Sequence, residues 1–263
     1  MPEGHTVHRI ANSFNQDFSG KRVTVSSPQG RFTDHKLVTG KKLSEAKAHG
    51  KQLFLQFGKS IVRIHLGIYG KWSFQSFQTE APTPVGQVRA RFQVSNLLAD
   101  LRGPTACEVI DQAEMIQSLA KLGPDPLSED KAGENQDLFV NKVQRSGRPI
   151  AELMMNQSIV AGIGNVYRAE LLFRARMNPF LAGKKVPKDQ LAAIWKDATK
   201  LMPIGVKTGM MLTRDGFLKG APVLEDRYYV YKRAGESCRE CGGKVSMELL
   251  AGRKLYFCKR CQK

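Results

Sequence analysis

The chain has 263 residues, 41% of them hydrophobic and 25% charged, and its 41 Lys and Arg outweigh 24 Asp and Glu to give a formal net charge of +17. A chain of this size buries one or two cores without disulfides, and no apolar run approaches the roughly 18 residues of a membrane span, which excludes a small disulfide-framed protein and a helical membrane protein. The excess positive charge asks for a polyanionic partner, and basic residues dispersed through structured-looking sequence, rather than stacked on one amphipathic helix, favour nucleic acid over a membrane surface.

At the start, Met1-Pro2 is a pair from which the initiator methionine is usually removed, leaving the secondary amine of Pro2 as the chain end. α-Amino groups titrate near pH 8 (about), and a helix N-terminus lowers that further, so a useful fraction of the amine is uncharged. Such an amine is a covalent nucleophile: attack on the C1′ of a nucleotide displaces the base and leaves an iminium that acidifies the neighbouring sugar proton, promoting strand cleavage. Glu3 is placed to move protons to and from the sugar. The plain alternative is that Pro-Glu simply suits the first turn of any helix.

From Glu3 to Phe18 the apolar residues Val7, Ile10, Ala11, Phe14 and Phe18 recur at three- and four-residue steps, predicting one amphipathic helix ended by Ser19-Gly20. Strand patterns follow: Val23 and Val25 alternate with polar neighbours, 53–57 and 61–66 are apolar runs, and Val88, Ala90, Phe92 and Val94 alternate with Arg89, Arg91 and Gln93. Residues 1–122 are therefore expected to form one helix on a β-sandwich or barrel, with Cys107 a small buried core residue.

Gly123-Pro124-Asp125-Pro126 is rigid and hostile to helix, and the acidic stretch behind it places a linker at 123–135. Helical periodicity returns over 150–155, at Val166, Ala169, Leu172 and Phe173, and over 191–201, defining a second domain at 136–227. Between the first two helices lies Ala161-Gly162-Ile163-Gly164-Asn165, where Asn165 is expected to cap a helix whose first amides make an anion site, with Arg168, Arg174 and Arg176 on the same segment. A plain helix hairpin has the same pattern.

The last segment, 228–263, carries Cys238-x2-Cys241 and, after 16 residues, Cys258-x2-Cys261, the spacing of a four-cysteine zinc site. Val245, Met247 and Leu249 alternate with polar residues, Ala251-Gly252 turns, and Lys254 to Phe257 runs back, predicting a β-hairpin clamped by one tetrahedral ion. Four thiolates leave no open coordination position, so one structural Zn²⁺ is expected, supplying on the order of 10 kcal/mol to folding as in comparable peptides. Arg253 sits at the hairpin tip among Lys244, Lys254, Lys259 and Arg260, suited to phosphates or to plain solvation.

Six blocks occur in one order: Met-Pro-Glu-Gly, Gly50-Lys51, His65-Leu66-Gly67-Ile68-Tyr69-Gly70, Leu122-Gly123-Pro124-Asp125-Pro126-Leu127, Val160 to Tyr167, and the ribbon. Together they resemble the formamidopyrimidine-DNA glycosylase / endonuclease VIII family over nearly the whole chain, closer to the endonuclease VIII branch in Met1-Pro2-Glu3-Gly4 and Tyr69. The resemblance implies an α+β fold: an N-terminal helix plus β-sandwich, a helical helix-two-turn-helix domain and a terminal four-cysteine zinc ribbon, with DNA crossing the cleft between the halves.

It also implies a bifunctional DNA glycosylase and AP lyase of base excision repair that attacks through the N-terminal proline and eliminates both phosphates. Carried to matching positions, Pro2 is the nucleophile and Glu3 the acid/base, Lys51 meets the phosphate beside the lesion, and Asn165 and Arg253 are the phosphate ligands of the helix turn and ribbon. Arg168 shares that DNA-binding segment. Ile68 stands where relatives place an apolar wedge that offsets the few kcal/mol (roughly) of lost stacking when a base is extruded, and Tyr69 beside it is suited to stacking.

Damaged double-stranded DNA is the implied partner, with single-stranded or bubble DNA as further forms, for a cytoplasmic, nucleoid-associated monomer without membrane contact. Two departures from the family pattern stand out. Thr6 occupies the place of a second glutamate, for which His5 or His8 are candidate substitutes, and 206–227, which in relatives specific for 8-oxoguanine forms a loop over the purine, does not match their pattern. Oxidised pyrimidines are the expected substrate ahead of oxidised purines; a catalytically inactive lesion-binding relative is the competing class, and a ribosome- or transcription-associated zinc ribbon leaves the N-terminal blocks without a purpose.

Overall fold

The helical spacing of Val7, Ile10, Ala11 and Phe14 becomes helix α1 (Gly4–Asp17), which buries that face. The computed structural model describes residues 2–130 and 132–263, and Met1, whose removal the amine chemistry requires, lies outside them. The chain divides into two units, 1–121 and 122–263.

In the first unit α1 is followed by β1 (Thr24–Ser26), β2 (Glu45–His49), β3 (Gln52–Phe57), β4 (Ser60–His65), β5 (Lys71–Ser76), β6 (Val88–Val94), β7 (Leu97–Arg102), β8 (Ala106–Ile110) and helix α2 (Gln112–Ala120). The strands form two antiparallel four-stranded sheets, ordered β1-β6-β7-β5 and β2-β3-β4-β8, so the sandwich expected from the alternating patterns is present. Helix α1 engages both sheets. Phe14 sets its ring 5.0 Å from that of Trp72 and 5.8 Å from that of Phe92, on one sheet, in edge-on geometry that favours aromatic attraction. On the other, the Asn15 amide mimics a neighbouring strand, donating to the Ala46 carbonyl at 2.8 Å and accepting from its N–H at 2.7 Å.

The apolar run of β3 is explained by burial on two faces. Leu53, Leu55 and Phe57 point into the sandwich, whereas Phe54 joins Ile61 and Ile110 under Met115 and Leu119 of α2. A reciprocal capping box between Asp111 and Glu114 starts α2, a helix the apolar periodicity did not announce because it is short and half-exposed.

The second unit contains α3 (Glu134–Gln144), α4 (Ile150–Leu153), α5 (Asn165–Arg174) and α6 (Lys188–Thr208), then the hairpin β9 (Val245–Leu250) and β10 (Arg253–Cys258). Helix α3 begins inside the stretch expected as linker, and the residues before it are tied down: Gly123 N–H donates to Gln157 at 2.8 Å, Ala161 N–H to Pro124 at 2.9 Å, and Asp125 is fully buried. Helix α6 runs well past the expected end at Leu201, carrying Pro203 inside it, and stops at Gly209 in the left-handed conformation with φ 74°. The ribbon is not free-standing. Leu255 and Phe257 join the helical core, and Val245, Tyr256 and Cys258 pack on Ala169 and Phe173 of α5, so packing on the helices contributes to its stabilisation. Among the described residues no helix is long and apolar enough to cross a membrane.

Candidate active site and nucleic-acid interface

Pro2 is half-buried immediately ahead of α1, and Glu3 is the residue at which the backbone is still extended, with φ −120° and ψ 179°. The Glu3 carbonyl accepts the first helical bond from Thr6 N–H at 2.9 Å, but its side chain does not cap the helix. Glu3 is instead wholly buried, a position an acid takes only when its oxygens have work inside the fold. His5 is buried two residues on, and burial, followed by nearby positive charge including Arg9 and His8, lowers its pKa from 6.5 to about 4. The ring is thus neutral at physiological pH, with Nε2 3.2 Å from the Thr6 hydroxyl. Thr6, the departure from the family pattern noted above, thus presents a hydroxyl beside an uncharged imidazole.

Lys51 lies in the tight turn joining β2 to β3, and its ammonium acts on His65, whose pKa is lowered by burial first and Lys51 second. His65 ends β4 and shapes the next turn. Its Nδ1 accepts from Gly67 N–H at 3.2 Å while its carbonyl accepts from Thr105 N–H at 2.8 Å. Gly67 has φ +65°, and a Cβ on Gly70 would stand 2.2 Å from the Leu66 carbonyl oxygen, so this turn excludes side chains at both ends and projects the two between them. Ile68 is 46% and Tyr69 84% exposed, an apolar pair presented to solvent on a glycine-braced stalk.

The second unit holds the other predicted residues around α5. Asn165 is not the cap: Gly164 takes that place, and Asn165 is the first helical residue, buried, donating its side-chain amide to the Lys254 carbonyl at 2.9 Å. The reading of Arg168 as a DNA contact is corrected as well. It is buried, donates to the same Lys254 carbonyl at 3.0 Å and to the Asn165 side-chain oxygen, and so spends its guanidinium on seating the hairpin. Arg174 and Arg176 are likewise committed, Arg174 to Asp197 at 2.9 Å and Asp215 at 3.1 Å, Arg176 to Glu240 at 2.7 Å. Arg253, exposed and without an ion pair among the described residues, remains the cation at the hairpin start.

Pattern reading passed over Glu170. It is fully buried, and its carboxylate accepts from the Thr213 hydroxyl at 2.7 Å and from the backbone N–H groups of Tyr229, Val230 and Tyr231 at 2.8–2.9 Å. The sequence gives little signal of this, because α5 carries Asn165, Arg168, Glu170 and Arg174 among its ten residues and only the structure shows that Asn165 to Phe173 are all buried.

The four cysteines converge. Sγ of Cys238 is 3.8 Å from that of Cys261, Sγ of Cys241 is 3.5 Å from that of Cys258, and all four lie within 4.8 Å of one another. A zinc tetrahedron with bonds of about 2.3 Å has edges of about 3.8 Å, so the donor set fits Zn²⁺ in both chemistry and size.

Residues 1–107 match the formamidopyrimidine-DNA glycosylase N-terminal domain, 122–215 the formamidopyrimidine-DNA glycosylase H2TH domain, and 235–263 the zinc finger found in FPG and IleRS. The chain belongs to the formamidopyrimidine-DNA glycosylase family. It is 44% identical to a Mycobacterium tuberculosis protein named endonuclease 8 1, covering 100% of both chains, and 30% identical to the Thermus thermophilus formamidopyrimidine-DNA glycosylase, covering 97% of that protein. The Lactococcus lactis Fpg solved with DNA containing N7-benzyl-Fapy-dG shares the fold, with a TM-score of 0.83 at 21% identity over 100% of each chain. The same protein in complex with DNA containing an abasic site gives a TM-score of 0.81 at 20% identity over 99% of each chain. As a member of this glycosylase family the chain is a base-excision-repair DNA glycosylase with AP lyase activity, a DNA-binding protein with a zinc-finger site.

Three outcomes test this geometry. Because the folded-state pKa of His5 lies below its ordinary value of 6.5, its contribution to stability is complete above pH 6.5 and is lost as pH falls towards about 4, where the unfolded chain binds the proton first. Resonances of His5 should therefore shift only near pH 4; titration near the ordinary histidine value means the ring is solvated. Cys258→Ser should lose zinc by metal analysis together with DNA affinity. Arg253→Ala should weaken binding to all sequences and lower the salt slope by about one unit, and an unchanged slope removes Arg253 from the phosphate contacts.

Proposed function

We propose that this glycosylase releases oxidised bases, pyrimidines ahead of purines, by attack of the Pro2 imino nitrogen on C1′, and that it cuts the strand by β,δ-elimination. The observation that carries the reading is the grouping at the head of α1: Pro2 half-buried, Glu3 sealed from solvent beside it, and His5 held neutral. With the leading methionine removed, the Pro2 amine bonds to C1′ as the bond from C1′ to the base breaks, and the departing base takes up a proton. Glu3 delivers a proton to the sugar ring oxygen as the ring opens, leaving the iminium between Pro2 and C1′. Loss of the C2′ proton then expels the 3′ phosphate, and a second elimination expels the 5′ phosphate.

In this reading Lys51 and Arg253 meet phosphates directly. Asn165 acts at the start of α5, where the first amides point outward with the positive end of the helix dipole, while its side chain holds Lys254. Ile68 and Tyr69 fill the gap left by the extruded base; their exposure on a rigid turn supports this, since an apolar side chain gains by leaving water for the base stack. One zinc ion, closed off by four thiolates, shapes the hairpin and takes no part in bond making. The enzyme works as a monomer. The pyrimidine preference rests on the greater likeness to the protein named endonuclease 8 1 than to the one named formamidopyrimidine-DNA glycosylase.

Borohydride added during reaction with a duplex carrying an oxidised pyrimidine should trap the methionine-free protein covalently on DNA. Pro2→Gly should abolish the trapped species and sharply slow base release while leaving affinity within about twofold, as expected when a group acting only in the transition state is lost. No trapped species with the intact protein makes it a binding module, and faster release of oxidised purines at equal salt reverses the substrate order.

A further inference from the structure

Between residues 18 and 44 the chain carries six Lys and Arg against a single acid, Asp34. Four of those cations are brought together by two short segments, 20–23 and 40–43, that run antiparallel beside each other. Gly20 N–H donates to the Leu43 carbonyl at 2.8 Å and Leu43 N–H to the Lys21 carbonyl at 3.0 Å. Val23 N–H donates to the Lys41 carbonyl at 2.9 Å and Gly40 N–H to the Val23 carbonyl at 2.8 Å. Val23 and Leu43 are fully buried in the sandwich core, which leaves Lys21, Arg22, Lys41 and Lys42 exposed on a hydrogen-bonded frame.

Arg22 and Lys42 stand directly opposite each other across this pair. Like charges in that register destabilise a strand pair, and among the described residues no acid relieves them. Lys21 donates to the Asp17 carbonyl at 2.7 Å and Arg22 to the Gly40 carbonyl at 3.0 Å, both backbone oxygens, and Glu45, the next acid after Lys42, is paired with Lys47 at 3.0 Å. The two segments hold no aromatic ring and no exposed apolar side chain. That composition suits phosphates rather than bases: stacking needs rings, whereas three lysines and an arginine take a sugar-phosphate backbone of any sequence. A folded protein partner would want an apolar anchor, and none is offered.

The patch lies beyond the C-terminal end of α1, whereas Pro2 and Glu3 precede its N-terminal end. The 14 residues of that helix, at about 1.5 Å each, put roughly 21 Å between its ends. The two phosphates beside a nucleotide held at Pro2 are thus out of the patch's reach.

We propose that Lys21, Arg22, Lys41 and Lys42 form a second DNA-binding surface, which takes the phosphate backbone of an undamaged duplex segment while the protein still holds another. With both segments held at once, the protein passes from one to the next without a free intermediate. The inference concerns DNA binding alone and goes beyond the glycosylase reading, so failure of the bond-breaking chemistry leaves it standing.

The test follows release of the full, zinc-loaded chain from a labelled damaged duplex after unlabelled undamaged duplex is added. A protein with one surface leaves at a rate independent of competitor, whereas one with two surfaces leaves faster as competitor rises. Wild-type release should accelerate about tenfold from low to high competitor, and in the triple variant Lys21→Gln/Lys41→Gln/Lys42→Gln it should stay flat, with affinity for the labelled duplex within about twofold of wild type. Lys41→Arg/Lys42→Arg, which keeps the charge, should behave as wild type. Because the triple variant relieves the repulsion on Arg22, its Tm should rise by about 1–2 °C, the reverse of what a structural role gives. Competitor-independent release from the wild-type protein overturns the proposal, as does a lowered Tm in the triple variant. Loss of affinity for the labelled duplex equal to the loss of transfer overturns it too, by making the patch an extension of one continuous duplex contact. Acceleration by polyglutamate as strong as that by DNA does the same, in favour of an acidic protein partner.

Discussion

A carboxylate sealed from water must collect donors or give up its charge, and Glu170 collects four. Burial alone pushes its pKa upward, and the Thr213 hydroxyl and three successive backbone amides oppose that push by favouring the ionised form. The chain on either side of those donors is thereby drawn to one point on α5. Thr213 opens the 213–227 loop and 229–231 lead into the ribbon, so a single side chain settles where both begin. Removing it would leave three amide groups inside the protein without an acceptor, a larger loss than the bonds themselves.

Helix α5 carries this role along its whole length. At its first turn Asn165 and Arg168 hold the Lys254 carbonyl, in its middle Ala169 and Phe173 floor the ribbon, and at its end Arg174 ties Asp197 and Asp215. Its polar side chains face other parts of the protein, and its anion-binding capacity is left to the backbone at its N-terminus. Side chains along α5 fix the scaffold, and the orientation of the amides in its first turn is fixed by the helix itself. In the first unit the same economy governs α1, whose apolar face is clamped by Phe14 and Asn15 so that the residues just ahead of it are held rigidly.

The departure at Thr6 gains meaning from burial. A carboxylate at half-buried Thr6 would add like charge close to the buried Glu3, whereas a neutral imidazole and a hydroxyl supply polar contacts without that repulsion.

Much of this was legible beforehand where short-range spacing encodes the answer. The three- and four-residue steps of Val7 to Phe14 specify a helix, alternation in 88–94 specifies a strand, two Cys-x-x-Cys pairs specify a metal clamp, and Ala251-Gly252 specifies the hairpin turn. The six ordered blocks announced the family, whereas the glycine-constrained turn under Ile68-Tyr69 emerged from the structure. Tertiary structure alone decided which polar residues point inward. Arg168 and Asn165 carry phosphate-binding chemistry in their side chains yet serve the hairpin, and Asp226 is an unremarkable acid until Arg214 and Arg239 close on it from positions 12 and 13 residues away. Periodicity states which face of an element is apolar, but the partner packed on that face, and hence the dielectric around each charge, is set by chain segments far away in sequence.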